Sequence, residues 1–270
     1  MTDAPQFRRI AIVGFGLIGG SVAQAAVRRW PSTQIVPIEA ATGLAGVAGA
    51  DLVVLAAPIR ANITLLGALQ PHLSPGALVT DTGSTKRAMI AAAEQWPAIP
   101  FIGGHPMAGA ARGGVANARP DLFDGRPWIL TAPRVHDAGA LARLEAFVCG
   151  LGAVPHIMTP ELHDRFVGAV SHLPQLTASA LMHAVGGLAG DAGLELAGQG
   201  LHDTTRLAAS PPDIWRDVAA TNDDVLHAAL DTLIRTLEDL RDSLGTGRGV
   251  DEVFTSAGRW RDALDRARGD

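Results

Sequence analysis

The sequence predicts an α/β protein: a doubly wound, mostly parallel dinucleotide-binding sheet over residues 1–158, followed by an all-helical domain over residues 159–270. Three observations carry this expectation. Apolar strand runs alternate with helix-compatible segments through the first half, as in a parallel sheet covered on both faces. The first of those strands runs directly into a Gly-x-Gly-x-x-Gly turn, Gly14-Phe15-Gly16-Leu17-Ile18-Gly19. From Thr159 onward strand runs give way to long patterns of helical period.

Taken in order, Ile10–Val13 reads as the first strand, with a helix to about Arg29 and a short strand at Gln34–Ile38. Asp51–Ala57 is a continuous apolar strand ending at Pro58, and Ala77–Asp81 is another, leading to a helix from about Thr85 to Trp96. Phe101-Ile-Gly-Gly leads into His105. Trp128–Thr131 and Val154–Met158 are later strands, with a helix at Ala138–Leu151 between them. In the second half, Val225, Leu226, Ala229, Leu230, Leu233, Leu237, Leu240 and Leu244 recur at three-to-four spacing. Thr221 or Asn222 can cap the start of that helix and Gly245 its end. Pro174 is expected to kink or divide a helix beginning near Glu161. Between Glu39 and Asp51 lie eleven residues (40–50), barely enough for a parallel crossover with its helix. Pro37 falls in what should be an interior strand, where a missing N–H breaks the ladder. The adenosine side of the fold is therefore expected to be trimmed.

Composition narrows the function classes. Of the 270 residues 47% are apolar and 18% charged, which describes a soluble globular chain large enough for about two domains. No run approaches the ~18 apolar residues of a membrane span, and Met1–Arg9 lacks the apolar core of a signal peptide. A cytoplasmic location is expected. A net charge of −5 gives no basic face for nucleic acid. The one cysteine, Cys149, excludes internal disulfides and a cysteine-rich metal site, and reads as a packed core thiol. Lys86 is the only lysine, so local binding of an anionic substrate falls to arginine forks.

The glycine turn specifies a pyrophosphate cradle. Gly14 permits the tight turn, Gly16 lets the backbone approach the phosphates, and Gly19 lets helix and strand pack closely. Phe15, Leu17 and Ile18 lie within it, and the helix N-terminus supplies free N–H groups. Glu39, twenty positions past Gly19, is placed to bond a ribose hydroxyl. It would repel a 2′-phosphate, which favours NAD over NADP, although Arg28 and Arg29 can fold back toward that pocket. Ligands of such sheets bind at the carboxyl ends of the strands. Ala57-Pro58, Asp81-Thr-Gly-Ser84-Thr-Lys86 and Gly-Gly-His105-Pro-Met-Ala-Gly109 all fall there. Ser84 is either the N-cap of the following helix or a ligand-facing hydroxyl. His105 either bonds its own loop or serves as a base that accepts a hydroxyl proton while hydride leaves the same carbon. Arg206, closing Gly198–Arg206, is either a surface residue or a carboxylate clamp.

Several motifs occur together and in order: Gly14–Ser21, Asp81–Lys86, Gly103–Gly109, Leu122–Gly125 with Trp128–Thr131, His163-Asp164 with Ser171-His-Leu-Pro174, and Asp203–Arg206. In this the chain resembles the prephenate and arogenate dehydrogenases over nearly its whole length. The resemblance implies oxidation of a ring C4 hydroxyl by NAD or NADP with loss of carbon dioxide, in tyrosine biosynthesis. It implies His105 as base for that hydroxyl, Ser84 as its orienting partner, Arg206 on a substrate carboxylate, and a homodimer through the helical domain. No metal is required. Two positions depart from the family pattern. Ala110-Ala111-Arg112-Gly113 stands where many members carry a glutamate, and Gln175 where many carry a second histidine. Both are expected near the substrate side chain. Arg112 in place of an acid disfavours an ammonium and favours prephenate over arogenate, if it points inward rather than into solvent; Gln175 donates or accepts and does not decide. The alternatives are arogenate or 4-amino-4-deoxyprephenate as substrate, a β-hydroxyacid-type dehydrogenase, disfavoured by the absence of a helical lysine, and a non-catalytic nucleotide-binding protein with a trimmed adenosine site.

Overall fold

The computed structural model describes residues 5–39, 43–110, 113–133 and 137–268. The chain separates into two compact units, Met1–Asp223 and Asp224–Asp270. The first contains a seven-stranded sheet in the order β2-β1-β3-β4-β5-β6-β7. Its strands are β1 (Arg9–Val13), β2 (Gln34–Ile38), β3 (Leu52–Leu55), β4 (Leu78–Asp81), β5 (Phe101–Pro106), β6 (Pro127–Thr131) and β7 (Val154–Ile157). All pairings are parallel except β5 with β6. Every residue of β3 and β4 is buried. That explains why β3 is Leu and Val throughout and why β4 begins with Leu and Val before its polar end, Thr80-Asp81.

Helices α1 (Leu17–Arg29), α2 (Ile59–Leu69), α3 (Arg87–Glu94) and α4 (Ala138–Gly150) make the crossovers. Under one face, Phe7, Trp30 and Phe147 form an aromatic core, with Trp30 stacked on Phe147 at 5.6 Å and Phe7 edge-on at 5.5 Å. Strand order reverses at β1, which has β2 on one side and β3 on the other. The crevice at that reversal is where an open α/β sheet binds its ligand.

Expectations for Pro37 and Cys149 are corrected, and the short β2–β3 connection is explained. Pro37 does not interrupt an interior strand: β2 is the outermost strand, so a proline lacking N–H is tolerated there. The β2–β3 connection carries no helix among its described residues, only a 3₁₀ turn at Ala45–Val47, which is how so few residues suffice. Cys149 is not a core thiol; it lies on the exposed side of α4, between neighbours Val148 (buried) and Gly150 (half-buried).

From Thr159 the first unit continues as α5 (Pro160–Val167), a π-helical turn (Gly168–His172), α6 (Leu173–Leu194), α7 (Gln199–Thr205) and α8 (Pro212–Thr221). Pro174 lies at the start of α6, directly after the π-helical turn, and that wide turn is where the helix accommodates its missing N–H. The second unit holds α9 (Asp223–Ser243) from its second residue onward, and α10 (Arg248–Arg268). Leu226 is buried, whereas Ile234, Leu237, Leu244, Phe254, Trp260 and Leu264 remain exposed. No helix among the described residues is long and apolar enough to cross a membrane.

Candidate active site

The glycine turn has the shape a pyrophosphate needs. Gly14 adopts φ +95°, and a Cβ there would lie 2.6 Å from the Ala57 nitrogen, so only glycine lets β1 and the end of β3 meet. A Cβ on Gly19 would lie 2.3 Å from the Gly14 carbonyl oxygen and 2.9 Å from Ile12 Cγ2. At Gly16 a Cβ would meet nothing within 4 Å. Gly16 is also the N-cap of α1 and offers no capping side chain. The first turn of α1 therefore has no side-chain cap among the described residues, as an anion site requires. Phe15, Leu17 and Ile18 are half-buried and pack on the core beneath. Glu39 follows the last residue of β2 on the same edge, since Ile38 pairs with Val13. Ala57 and Pro58 stand at the entry to α2, with the Ala57 N–H donating to Asn62 Oδ1 at 3.2 Å.

Further along that edge, β5 brings His105 beside the end of β4. Two glycines make this approach possible. A Cβ on Gly103 would lie 2.5 Å from Thr131 Oγ1, and one on Gly104 2.6 Å from the Asp81 carbonyl oxygen. The Gly104 N–H donates to Asp81 Oδ1 at 3.0 Å, and the Gly83 N–H to Asp81 Oδ2 at 2.8 Å. Lys86 Nζ, wholly buried, donates to the same Oδ2. Burial pulls the Lys86 ammonium below its ordinary pKa, while the Asp81 charge opposes that pull.

His105 is 8% exposed. Its Nδ1 lies 2.8 Å from His163 Nε2, and His163 Nδ1 lies 2.7 Å from Asp164 Oδ1. Asp164 also accepts the backbone N–H groups of Lys86 at 2.7 Å and Arg87 at 3.0 Å, and Arg87 Nε at 3.2 Å. Asp164 thus caps α3 from a distant helix. Burial works against its charge, but the bonds from His163, Arg87 and Lys86 outweigh burial and hold it below the usual carboxylate range. Burial first, then the neighbouring His163, Lys86 and His172, push His105 well below an ordinary histidine. His105 is therefore a neutral imidazole at neutral pH, which is the state a general base needs.

Behind this row, Asn222 ties three elements together. Its Nδ2 donates to the Asp164 carbonyl oxygen at 3.0 Å and faces His172 Nδ1 at 3.5 Å, while its Oδ1 accepts from Arg87 at 2.8 Å.

Comparison with known families decides the assignment. The family described as "Prephenate dehydrogenase, nucleotide-binding domain" matches residues 20–157, and "Prephenate dehydrogenase, dimerization domain" matches residues 159–254. This chain belongs to the prephenate dehydrogenase family. It is 31% identical to the prephenate dehydrogenase of Bacillus subtilis, over 94% of this chain and 76% of that protein. Among solved structures, it resembles Synechocystis arogenate dehydrogenase at 30% identity and TM-score 0.80, covering 95% and 99% of the two chains. It also resembles A. aeolicus prephenate dehydrogenase in complex with hydroxyphenyl propionate and NAD+, at 28% identity and TM-score 0.85, covering 97% and 98%.

Within this prephenate dehydrogenase family member, the residues singled out from sequence fall in three places. Gly14–Gly19, Glu39, Ala57 and Pro58 gather at the β1 switch point. Ser84 and His105 stand at the ends of β4 and β5. Ser84 is half-buried, has no hydrogen bond to another described residue, and is not the cap of α3: that position is Lys86, and Asp164 supplies the acceptor. Arg206 is exposed at the start of a 3₁₀ turn, Arg206–Ala209. Gln175 is buried and grips that turn: Nε2 donates to the Leu207 carbonyl oxygen at 2.7 Å, and Oε1 accepts from Ser210 at 3.1 Å. Arg112 lies outside the described residues. Sequence reading assigned no site role to Asp81, Lys86, His163 or Asp164, and named Asn222 only as a candidate helix cap. The signal available was a lone lysine five residues after an aspartate, and an adjacent His-Asp pair.

Proposed function

We propose that this chain catalyses oxidative decarboxylation of prephenate to 4-hydroxyphenylpyruvate with NAD as the acceptor. The observation that carries the reading is a buried His105, its imidazole held toward the neutral form by burial, on the same sheet edge as an uncapped glycine cradle. A bound nicotinamide dinucleotide would rest on Gly14–Gly19 with Glu39 at its ribose, and would supply the hydride acceptor. His105 accepts the C4 hydroxyl proton, and Ser84, which has no hydrogen bond to another described residue, orients that hydroxyl and the imidazole. Arg206 binds a carboxylate of the substrate through its planar fork. Once C4 becomes a carbonyl, carboxylate loss forms an aromatic ring, so the protein needs only geometry, one base and carboxylate anchors.

The choice of prephenate over arogenate is supported by the run after His105: Pro106–Ala110 contains no carboxylate to hold an ammonium. Gln175 acts through the Arg206 turn rather than as an open hydrogen-bonding arm. Residues 1–158 would hold the cofactor, and residues 159–270 would contribute Arg206 and a homodimer contact, for which the exposed apolar side chains of α9 and α10 are suited. The test is formation of reduced cofactor with prephenate or arogenate against NAD or NADP in all four pairings. Fastest turnover with prephenate and NAD supports the proposal; a clear preference for arogenate or NADP overturns that part of it.

A further inference from the structure

Asp164 admits one reading of the row of rings beside it. Both carboxylate oxygens already receive N–H groups, Oδ1 from Lys86 and Oδ2 from Arg87. An ionised carboxylate only accepts, so His163 Nδ1 must carry the proton on the 2.7 Å bond to Oδ1. In neutral His163 the remaining nitrogen, Nε2, is then a bare lone pair. It lies 2.8 Å from His105 Nδ1, so His105 donates there. The proton of His105 is fixed on Nδ1, and its Nε2 is left as an acceptor.

We infer that His163 and Asp164 are positioning residues that lock His105 in the tautomer whose Nε2 lone pair faces the reacting hydroxyl. This deepens the proposed function and rests on it only for the identity of that hydroxyl. When the substrate O–H bond breaks, its proton goes to His105 Nε2 and the bonding pair becomes part of the new carbonyl; a bound nicotinamide would supply the acceptor for the hydride lost from that carbon. The positive charge formed on His105 is then two hydrogen bonds from the Asp164 carboxylate. Nδ1–H need not move, so the ring is already arranged for the transition state.

The row also explains why the site spans two halves of the sequence. His105 comes from β5, whereas His163 and Asp164 come from α5, and the carboxylate doubles as the cap of α3. Misplacing α5 would free His105 to rotate or to shift its proton to Nε2, where it could only donate. The charged and titratable groups around His105 are His163 on α5, His172 on the π turn, Lys86 before α3, and Asp81 and Asp164 as their partners.

The test reads the tautomer directly. In the full-length protein labelled with ¹⁵N histidine, without ligands, His105 is expected as the Nδ1–H form. His163→Gln keeps an acceptor oxygen near the place of Nε2; it should keep that tautomer and retain kcat within about tenfold. His163→Phe removes the acceptor. It should release the Nε2–H form and lower kcat about 10²-fold or more, with NAD affinity unchanged. Asp164→Asn should move the acidic limb of the kcat/KM profile to lower pH, because the charge that favours imidazolium is gone; a merely structural loss would lower the profile without shifting it. An Nε2–H tautomer in the unsubstituted protein, or a folded His163→Phe variant with unchanged tautomer and kcat, overturns the inference. If the tautomer is as stated and prephenate is not oxidised, the proposed function fails while the lock stands. If His163→Phe does not fold, the unsubstituted protein and His163→Gln still decide.

Discussion

Gly16→Ala separates the cofactor cradle from the fold that carries it. At this position a Cβ meets no atom of the described residues within 4 Å beyond its chain neighbours, and the backbone, at φ −93° and ψ −150°, is extended and open to alanine. The folded state should therefore tolerate the methyl. Removing a glycine from the unfolded chain should stabilise the protein by about 0.4–1 kcal/mol, raising Tm by about 1–4 °C. The same methyl projects into the space where the backbone must approach a pyrophosphate. Loss of that approach should weaken NAD at least tenfold, or ~1.4 kcal/mol. Gly19→Ala is the contrast: its Cβ would lie 2.3 Å from a backbone oxygen and 2.9 Å from the buried Ile12 side chain. Overpacking there should cost roughly 1–3 kcal/mol of stability. Calorimetric titration with NAD, paired with thermal unfolding without ligand, reads both effects. Unchanged NAD affinity in Gly16→Ala would refute the placement of the phosphates, and a destabilised Gly16→Ala would refute the claim that the space is free.

Three further outcomes follow from the buried charges and the Arg206 turn. Lys86→Met strands Asp81 without its ammonium partner and should cost ~3–5 kcal/mol in denaturant unfolding; the double variant with Asp81→Asn should cost less than the sum of the two singles. His172 is held down to about 4 by burial, so between pH 6.5 and 4 the unfolded chain binds a proton that the native chain does not. Stability from this group is full above pH 6.5 and is lost as pH falls toward 4, by ~3 kcal/mol in all; unfolding curves that are flat across that range would contradict it. Arg206→Leu should raise KM for prephenate by tenfold or more, leaving NAD affinity unchanged. Gln175→Leu should raise KM in the same direction but less, since it loosens the turn at Leu207 rather than removing the guanidinium. Equal KM values across the three proteins would show that this turn does not bind substrate.

What the sequence made legible was local. The strand-to-glycine turn, the two buried strands ending at Pro58 and Asp81, and the polar loops at their ends all depend on neighbours within a few residues, and each lies where the pattern put it. Strand order is not local, which is why Pro37 looked like a fault until β2 proved to be the edge. Ser84 looked like a cap because caps usually come from adjacent residues, whereas Asp164 reaches Lys86 from 78 positions away. Gln175 and Leu207 meet across 32 positions, so a side chain whose sequence position suggests a substrate contact is spent on a turn. Cys149 misled for the opposite reason: its neighbour Val148 is buried and apolar, but the helix turns the thiol outward.

The most direct test of the account is a single-turnover comparison of His105→Asn with the unsubstituted protein, each saturated with NAD and mixed with prephenate while reduced cofactor is followed. Loss of the base should slow the step by about 10²–10⁴-fold with NAD affinity intact. A His105→Asn variant within threefold of the unsubstituted rate would contradict the claim that this imidazole takes the hydroxyl proton.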